Sequence, residues 1–584
     1  MKNTYTKFII CICLIFNMLL ISACTSGEKE IHKSSETLPG NLPKNVVFKN
    51  GIVYTADSKQ SMAEAIAIQD GKITFVGSNK DVQKFVEKDT KIVDLKGNFV
   101  LPGFIDNHNH IFEARSPAAG NCMVSSDATL QKQRKYLKAC QKNIKKGEWV
   151  SGSGFSIENL LQDIDEDSNQ QTPLQLLDEL FPHNPAVIME RTSHSVWVNT
   201  KALEVAGINK NTEDPQGGRI IRNSKTGEPV GILYDTAGDI VMEQAWNAQP
   251  DLFQKNYKGL LAGLDEVAKN GITTVGDGRL YWKRGWLDVW NKVYNEGELT
   301  SRVVLRPWVY PNVNEVEQME YFKKIKRDDG SSRMLINQVK MYSDGITINN
   351  TAKTLDTYKF EWFSGTPNGL NYIPEQKMKW WLAELDKIGY GALIHTIGDG
   401  GVRESLNAIE AVKKDGAKQP YILTHVEMVE DSDIKRFATL GVHADFQVGH
   451  DFAEDPNQKW ASTYFTDQQM KRMLPLARIW KTGANVSLSS DWDVNELNPL
   501  ITISNALTIG EKSLPDIYAA IHAYTIHPAK ALGLEHITGS IEVGKSADMV
   551  VLNQNILKLD KDKIPNVKVL MTLLQGEVVY SKNK

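Results

Sequence analysis

Two histidines separated by a single residue, His108 and His110, close an apolar approach that runs through Asn98-Phe99-Val100-Leu101 and Phe104-Ile105. Residues two apart on an extended strand project to the same face, so this pair can offer two imidazole nitrogens to one metal ion. Alone the pair is weak evidence, because surface histidine pairs are common. Three further candidates each end an apolar run: His395 after Ala392-Leu393-Ile394, His425 after Tyr421-Ile422-Leu423-Thr424, and Asp491 after Val486-Ser487-Leu488-Ser489-Ser490. Taken singly, such a histidine is as readily a hydrogen-bonded structural residue, and such an aspartate a helix N-cap. Together they supply four imidazoles and a carboxylate, a set suited to zinc or a similar transition metal.

Bringing these groups together requires elements that gather distant segments at one place. Between about residues 101 and 537 the chain alternates amphipathic helix-like stretches with short apolar strands ending in polar residues, among them 271–277, 338–344, 392–399, 421–427 and 486–493. That alternation predicts an α/β fold, a (β/α)8 TIM-like barrel, whose functional groups sit where strands end. Within it, residues of about 118–248 read as an insertion overhanging the site. The flanks, 45–100 and 538–584, are rich in short β-type runs with glycine turns, including Asp70-Gly71 between two alternating runs, a hairpin signal. They are expected to build one small β-sandwich from both chain ends.

The composition is that of an ordinary folded protein, with 41% hydrophobic and 24% charged residues and a formal net charge of −4. It carries no basic stripe, which argues against a nucleic-acid partner. Lys2 and Lys7 precede an apolar run from Phe8 to Leu20, followed by Ile21-Ser22-Ala23-Cys24. This pattern reads as a lipoprotein signal peptide over 1–23, with lipid on Cys24, a tether over 24–44, and export to the cell envelope on a bacterial membrane. An uncleaved membrane helix is the alternative, but the apolar run is short for a span. Cys11 and Cys13 leave with the signal, so Cys122 and Cys140 remain as one possible disulfide.

Several spaced motifs carry a family resemblance. Leu101-Pro102-Gly103-Phe104-Ile105-Asp106-Asn107-His108-Asn109-His110 and Gly544-Lys545-Ser546-Ala547-Asp548-Met549-Val550-Val551-Leu552 resemble the opening and closing segments of the amidohydrolase superfamily. Ser193-His194-Ser195-Val196-Trp197-Val198-Asn199, Val339 to Gly345, His395 to Gly400 and Ser489-Ser490-Asp491-Trp492 resemble the branch containing N-substituted formamide deformylases. The resemblance implies two zinc or similar divalent ions per chain, one on His108, His110 and Asp491 and a second on His395 and His425. It also implies that Lys340 is carboxylated and bridges them. A desolvated, neutral amine can capture carbon dioxide as a carbamate, whereas an ammonium cannot ligate a cation. The alternative is an ordinary lysine paired with Asp344 or with substrate, and a single metal.

A metal-bound water loses its proton near neutral pH and can attack an sp² carbon, with Asp491 as general base and His194 and His450 as further polar candidates for catalysis. The expected reaction is hydrolysis of a linear C–N amide bond in a small N-acyl or N-formyl amine-like molecule. A deaminase or cyclic amidase on the same barrel is the runner-up, and a non-catalytic envelope binding lipoprotein a third reading. The chain departs from its relatives at Arg191-Thr192, where they commonly carry an acidic-glycine pair, and at Val448 after Gln447, so specificity does not transfer. Trp149, Phe155, Trp197, Trp362 and Trp492 are candidates for an apolar pocket. Members of the superfamily often form dimers, and a homodimer is compatible with the sequence.

Overall fold

A computed structural model of the protein describes residues 38–582, except 116–119, 163–170, 330–332 and 364. The expected signal peptide, Cys24 and the expected tether as far as residue 37 lie outside the described residues.

The central strands are parallel and come in two arcs. Four strands run in the order Met334–Leu335, Arg302–Val304, Ile272–Asp277, Phe104–Asn109, all parallel. Five more run in the order Gln338–Tyr342, Gly391–Thr396, Tyr421–His425, His443–Phe446, Val486–Leu488, also all parallel. Regular ladders do not continue around a closed ring, but the arcs adjoin at both ends. Lys340 N donates to Pro307 O at 3.1 Å and Val309 N to Lys340 O at 3.0 Å, while Asp491 N donates to His108 O at 2.8 Å.

Parallel neighbours need crossovers, and helices supply them. Leu252–Lys269 buries Asn256, Gly259, Leu260, Gly263, Leu264, Val267 and Ala268, the three- and four-residue spacing of one helix face. Asp399–Lys414 buries Val402, Leu406, Ile409 and Val412 on the same rule. Because helices cover the strands, Phe104–Asn109 and Gly391–Thr396 are buried along their whole length, as parallel strands usually are.

The two chain ends build two further sheets. One orders Lys72–Gly77, Ala65–Gln69, Asn45–Lys49, Lys91–Asp94; the other orders Glu577–Ser581, Val569–Leu574, Met549–Leu552, Phe99–Pro102, Ile52–Tyr54, Met62–Ala63. Val46, Phe48, Ile66, Ile73, Met549, Val551 and Leu573 meet in one core, so neither end buries its apolar face without the other. The expected hairpin forms at Asp70-Gly71, with φ of 48° and 77°, the two positive values that a tight turn matching strand twist requires.

Residues 122–235 contribute a six-stranded sheet in the order Gly218–Arg222, Pro229–Asp235, Ser195–Val198, Ala186–Glu190, Val150–Phe155, Cys122–Met123. The helix Pro173–Leu180 covers it, started by a capping box between Thr172 and Gln175 with Pro173 in the first turn. The glycine-rich stretch from Gly217 to Gly231 spans a hairpin of this sheet, whose strands bury Ile220 and Leu233 in one core and Ile221, Ile232 and Tyr234 in another. Cys122 and Cys140 are disulfide-bonded across 18 residues, with Cα atoms 5.2 Å apart. A cross-link over a loop of that length stabilises by about 3 kcal/mol through the unfolded chain. Cys140→Ser should therefore lower the thermal unfolding midpoint, and a reductant should lower the wild-type midpoint toward it while leaving the variant unchanged.

Candidate metal centre

The strand carrying the first two histidines is fixed from below by a buried polar layer. Arg306, fully buried, donates to Asn107 O at 2.6 Å, to Asn107 Oδ1 at 2.8 Å and to Gln338 Oε1 at 2.9 Å. Asp106 accepts from Ser490 N at 3.0 Å and from Asn109 Nδ2 at 2.8 Å, which ties the histidine strand to the segment that bears Asp491. The next strand must approach closely at Gly278, where a Cβ would lie 2.6 Å from His110 Cε1 and 2.9 Å from His108 Cδ2.

Above this layer the hydrogen bonds decide which nitrogen of each imidazole is free. Thr424 Oγ1 donates to Asp445 Oδ2 at 2.9 Å, so at 2.8 Å from His108 Nδ1 it accepts, and the lone pair of His108 is left on Nε2. Glu113 Oε2, 2.8 Å from His110 Nδ1, fixes that proton in the same way and leaves Nε2 facing Asp491. Gly345 O, 3.0 Å from His395 Nε2, does so on the opposite nitrogen, and His395 Nδ1 is buried with no hydrogen-bond partner among the described residues. Holding the far nitrogen of a histidine to leave the near one bare is how metal-binding imidazoles are oriented.

The bare atoms converge. Donor atoms of His108, His110 and Asp491 all lie within 4.8 Å of one another. Asp491 Oδ1 is 3.1 Å from His110 Nε2 and 3.6 Å from His108 Nε2. The ring of His425 lies 5.0 Å from that of His108 and 4.4 Å from that of His395. Lys340 Nζ, wholly buried, sits 3.0 Å from His108 Nε2.

The electrostatics match this chemistry. Burial pushes the Lys340 ammonium well below the ordinary lysine range, and nearby Arg279 and Arg306 push the same way against Asp491. Burial likewise keeps His108 and His395 neutral, with Lys340 and His425 respectively adding to it. Burial also opposes charge on His110, but Glu113 and Asp491 outweigh it and raise this imidazole to about 9. Asp491, despite burial, is held well below the usual carboxylate range by His110. The proton between those two residues is what a bound cation displaces. An orphaned buried lone pair, oriented imidazoles and a neutral amine fit a divalent metal.

Backbone strain is concentrated at the same place. His425, Val426 and Asp491 have φ of 74°, 48° and 52°, a left-handed region that costs a non-glycine residue on the order of 1–3 kcal/mol, most of all a β-branched one.

Of the residues anticipated from sequence, His108, His110, Lys340, His395, His425 and Asp491 come together, and His194 joins them, its ring 5.1 Å from that of His395. Lys340 does not pair with Asp344, whose carboxylate accepts from the backbone of Ile397, Gly398 and Lys353 at 2.8–3.0 Å. His450 stands apart on the helix His450–Glu454, exposed and 3.0 Å from Glu454. A cavity of 440 Å³ opens above the centre, lined by Glu158, Arg191, Thr192 and His194 from the segment of the six-stranded sheet and by His395, His425 and Asp491. The expected tryptophans do not line it: Trp197 and Phe155 are fully buried in a core of their own, and Phe452 and Trp460 take the aromatic positions instead.

Sequence reading missed Glu113, Arg279, Thr424, Asp445, Asp235 and Glu427. Arg279 grips Glu113 with Nη2 at 2.8 Å and Nε at 3.2 Å, and Asp235 Oδ1 lies 2.7 Å from His194 Nδ1. Burial, with Asp344 and Asp491 nearby, raises the Glu427 carboxyl to about 7. Only the placement of Glu113, three residues after His110, gave any local signal.

Comparison with known proteins accords with this centre. A model of the amidohydrolase family matches residues 91–580. The chain belongs to the amidohydrolase family. It is a hydrolase of a metal-dependent family, with a buried His-His-Asp site of its own. It is 24% identical over 559 residues to an N-substituted formamide deformylase of Arthrobacter pascens, covering 92% of this chain and 99% of that one. It is 27% identical over 572 residues to Protein LONG AFTER FAR-RED 3 of Arabidopsis thaliana, covering 94% and 93%. Among solved structures, an uncharacterized metal-dependent hydrolase from Pyrococcus horikoshii superposes with a TM-score of 0.68 at 19% identity, over 89% of this chain and 99% of that one, a likeness of fold.

Glu113 orients a ligand without touching the metal position, so Glu113→Gln should weaken metal affinity by about 10–100-fold, read by competition with a chelator. Gly278→Ala, which intrudes on both rings, should abolish stoichiometric binding while secondary structure by circular dichroism is retained.

Proposed function

We propose that this amidohydrolase cleaves a linear C–N amide bond in an N-acyl or N-formyl amine-like small molecule. The observation that carries the reading is the set of bare donor atoms around Lys340 and Asp491 at the floor of a small-molecule-sized cavity. The deformylase relative supports the choice of bond.

His108, His110 and Asp491 would hold one divalent metal, zinc by donor type, and His395 and His425 a second. Such a metal supplies Lewis acidity and an activated water when bound. Lys340, kept neutral by burial, is placed so that its amine could add to carbon dioxide, forming an N–C bond and releasing a proton, and the resulting carbamate would supply oxygen ligands to the centre. Asp491, at the cavity wall, takes a proton from the attacking water and delivers it to the nitrogen of the leaving amine. His194 stands beside His395 with Nδ1 tied to Asp235, so its other nitrogen is oriented toward the substrate carbonyl, where negative charge develops. Asp235 positions His194 and does not touch substrate.

In this reading the two parallel arcs are one (β/α)8 barrel in which Met334–Leu335 and Gln338–Tyr342 are two parts of one interrupted strand, the two sheets from the chain ends are its β-sandwich, and residues of about 118–248 are the inserted roof. The lipobox-like segment before Cys24 and the Cys122–Cys140 disulfide support an exported, lipid-anchored enzyme in the cell envelope, since disulfides persist in oxidising compartments.

The test is release of primary amine and acid from a panel of N-formyl and N-acyl amines by the metal-loaded protein. Asp491→Asn should lower kcat by about 10²–10⁴-fold, and His194→Ala by about 10²–10³-fold. Asp235→Asn should lower kcat with little change in KM. Ammonia as the only nitrogen product would point to deamination instead, and no turnover of any member would contradict the reading.

A further inference from the structure

The cavity over the metal residues has a charge pattern that amide cleavage alone does not use. Besides Asp491, which belongs to the metal centre, its lining carries five carboxylates, Glu158, Glu427, Asp451, Glu454 and Asp455, against one guanidinium, Arg191. Arg191 Nη1 lies 4.0 Å from Asp451 Oδ2 at the rim, and Glu158 accepts from the Tyr464 hydroxyl at 2.6 Å. Glu427 is different. Its carboxylate makes no hydrogen bond or ion pair to any described residue, and Ile397 and Leu474 adjoin it in the lining.

The main chain that carries Glu427 is held in place. Leu474 N donates to Glu427 O at 2.6 Å and Met428 N to Ile397 O at 3.0 Å, which clamps the backbone on both sides. A carboxylate presented by a rigid segment to a largely apolar, partly enclosed space carries a desolvation cost that an occupant of opposite charge removes. The cavity volume, 440 Å³, suits a small organic molecule with one charged end.

We propose that Glu427 is the specificity-determining residue of this cavity and that the substrate is an apolar amide bearing a cationic nitrogen, ammonium or guanidinium, away from the bond that is cut. This rests on the amide-hydrolase reading for the identity of that bond, but not for the charge preference. Glu427 holds the cationic end, and the isoleucine and aromatic wall holds the connecting chain.

The test is equilibrium binding of hexylguanidinium and N-hexylurea, which share a shape and differ in charge, to the metal-loaded full-length protein in mildly alkaline buffer. Hexylguanidinium should bind at least about tenfold more tightly than the urea. Glu427→Gln should reduce the difference to under about threefold, and Glu427→Asp, which keeps the charge, should retain a preference. Equal affinities in the wild type overturn the inference without recourse to any variant, as does a preference that survives Glu427→Gln in a protein with native circular dichroism. Because binding is read without turnover, failure to cleave any amide would contradict the function proposed above and leave this result standing.

Discussion

The arrangement depends on one buried amine. Lys340 Nζ is removed from water, and its hydrogen-bond partner is an imidazole nitrogen, His108 Nε2 at 3.0 Å, rather than a carboxylate. An ammonium in such a place is costly unless it is paired, so the structure favours the neutral, nucleophilic form. That choice in turn requires His108 to present a lone pair, which the Asp445–Thr424 relay secures from the other side of the ring. Asp445 itself accepts from Ser487 and Ser489 at 2.5 and 2.6 Å, so one carboxylate couples three neighbouring strands to the orientation of a single imidazole.

Around this amine, rigidity is graded. The floor is a polar layer of Asp106, Asn107, Arg306, Gln338 and Asp445 in which nearly every hydrogen-bonding group is used, and it supports strained backbone at His425, Val426 and Asp491. Strain of this kind persists only where the surroundings over-determine it. The roof comes from the six-stranded sheet of residues 122–235 and its loops, carrying Glu158, Arg191 and His194. The candidate ligands therefore sit at strand ends, and the cavity roof comes from segments outside those strands.

Much of the floor was legible in the sequence because it obeys local rules. His108 and His110 share a strand face, and His395, His425 and Asp491 each end an apolar run, so period and position together marked them. The two β-rich ends were legible as strands, and Asp70-Gly71 as a turn. What was not legible depends on partners brought in from far along the chain. Thr424 and Asp445 are ordinary strand residues until folding sets them behind His108, and Asp235 becomes informative only when it meets His194. The tryptophans misled because a large ring reads alike in a core and in a cavity wall. His450, named as a polar candidate for catalysis, lies on an exposed helix beside Glu454.

The central claim is that Lys340, as a neutral amine, completes a two-metal centre. Its most direct measurement is the metal content per chain of wild type and Lys340→Ala, read together with intact mass under non-denaturing conditions. The account predicts two metals in the wild type with the added mass of one carbon dioxide, and the loss of both that mass and at least one metal in the variant. Equal metal content in the two proteins, with no added mass in the wild type, would contradict it.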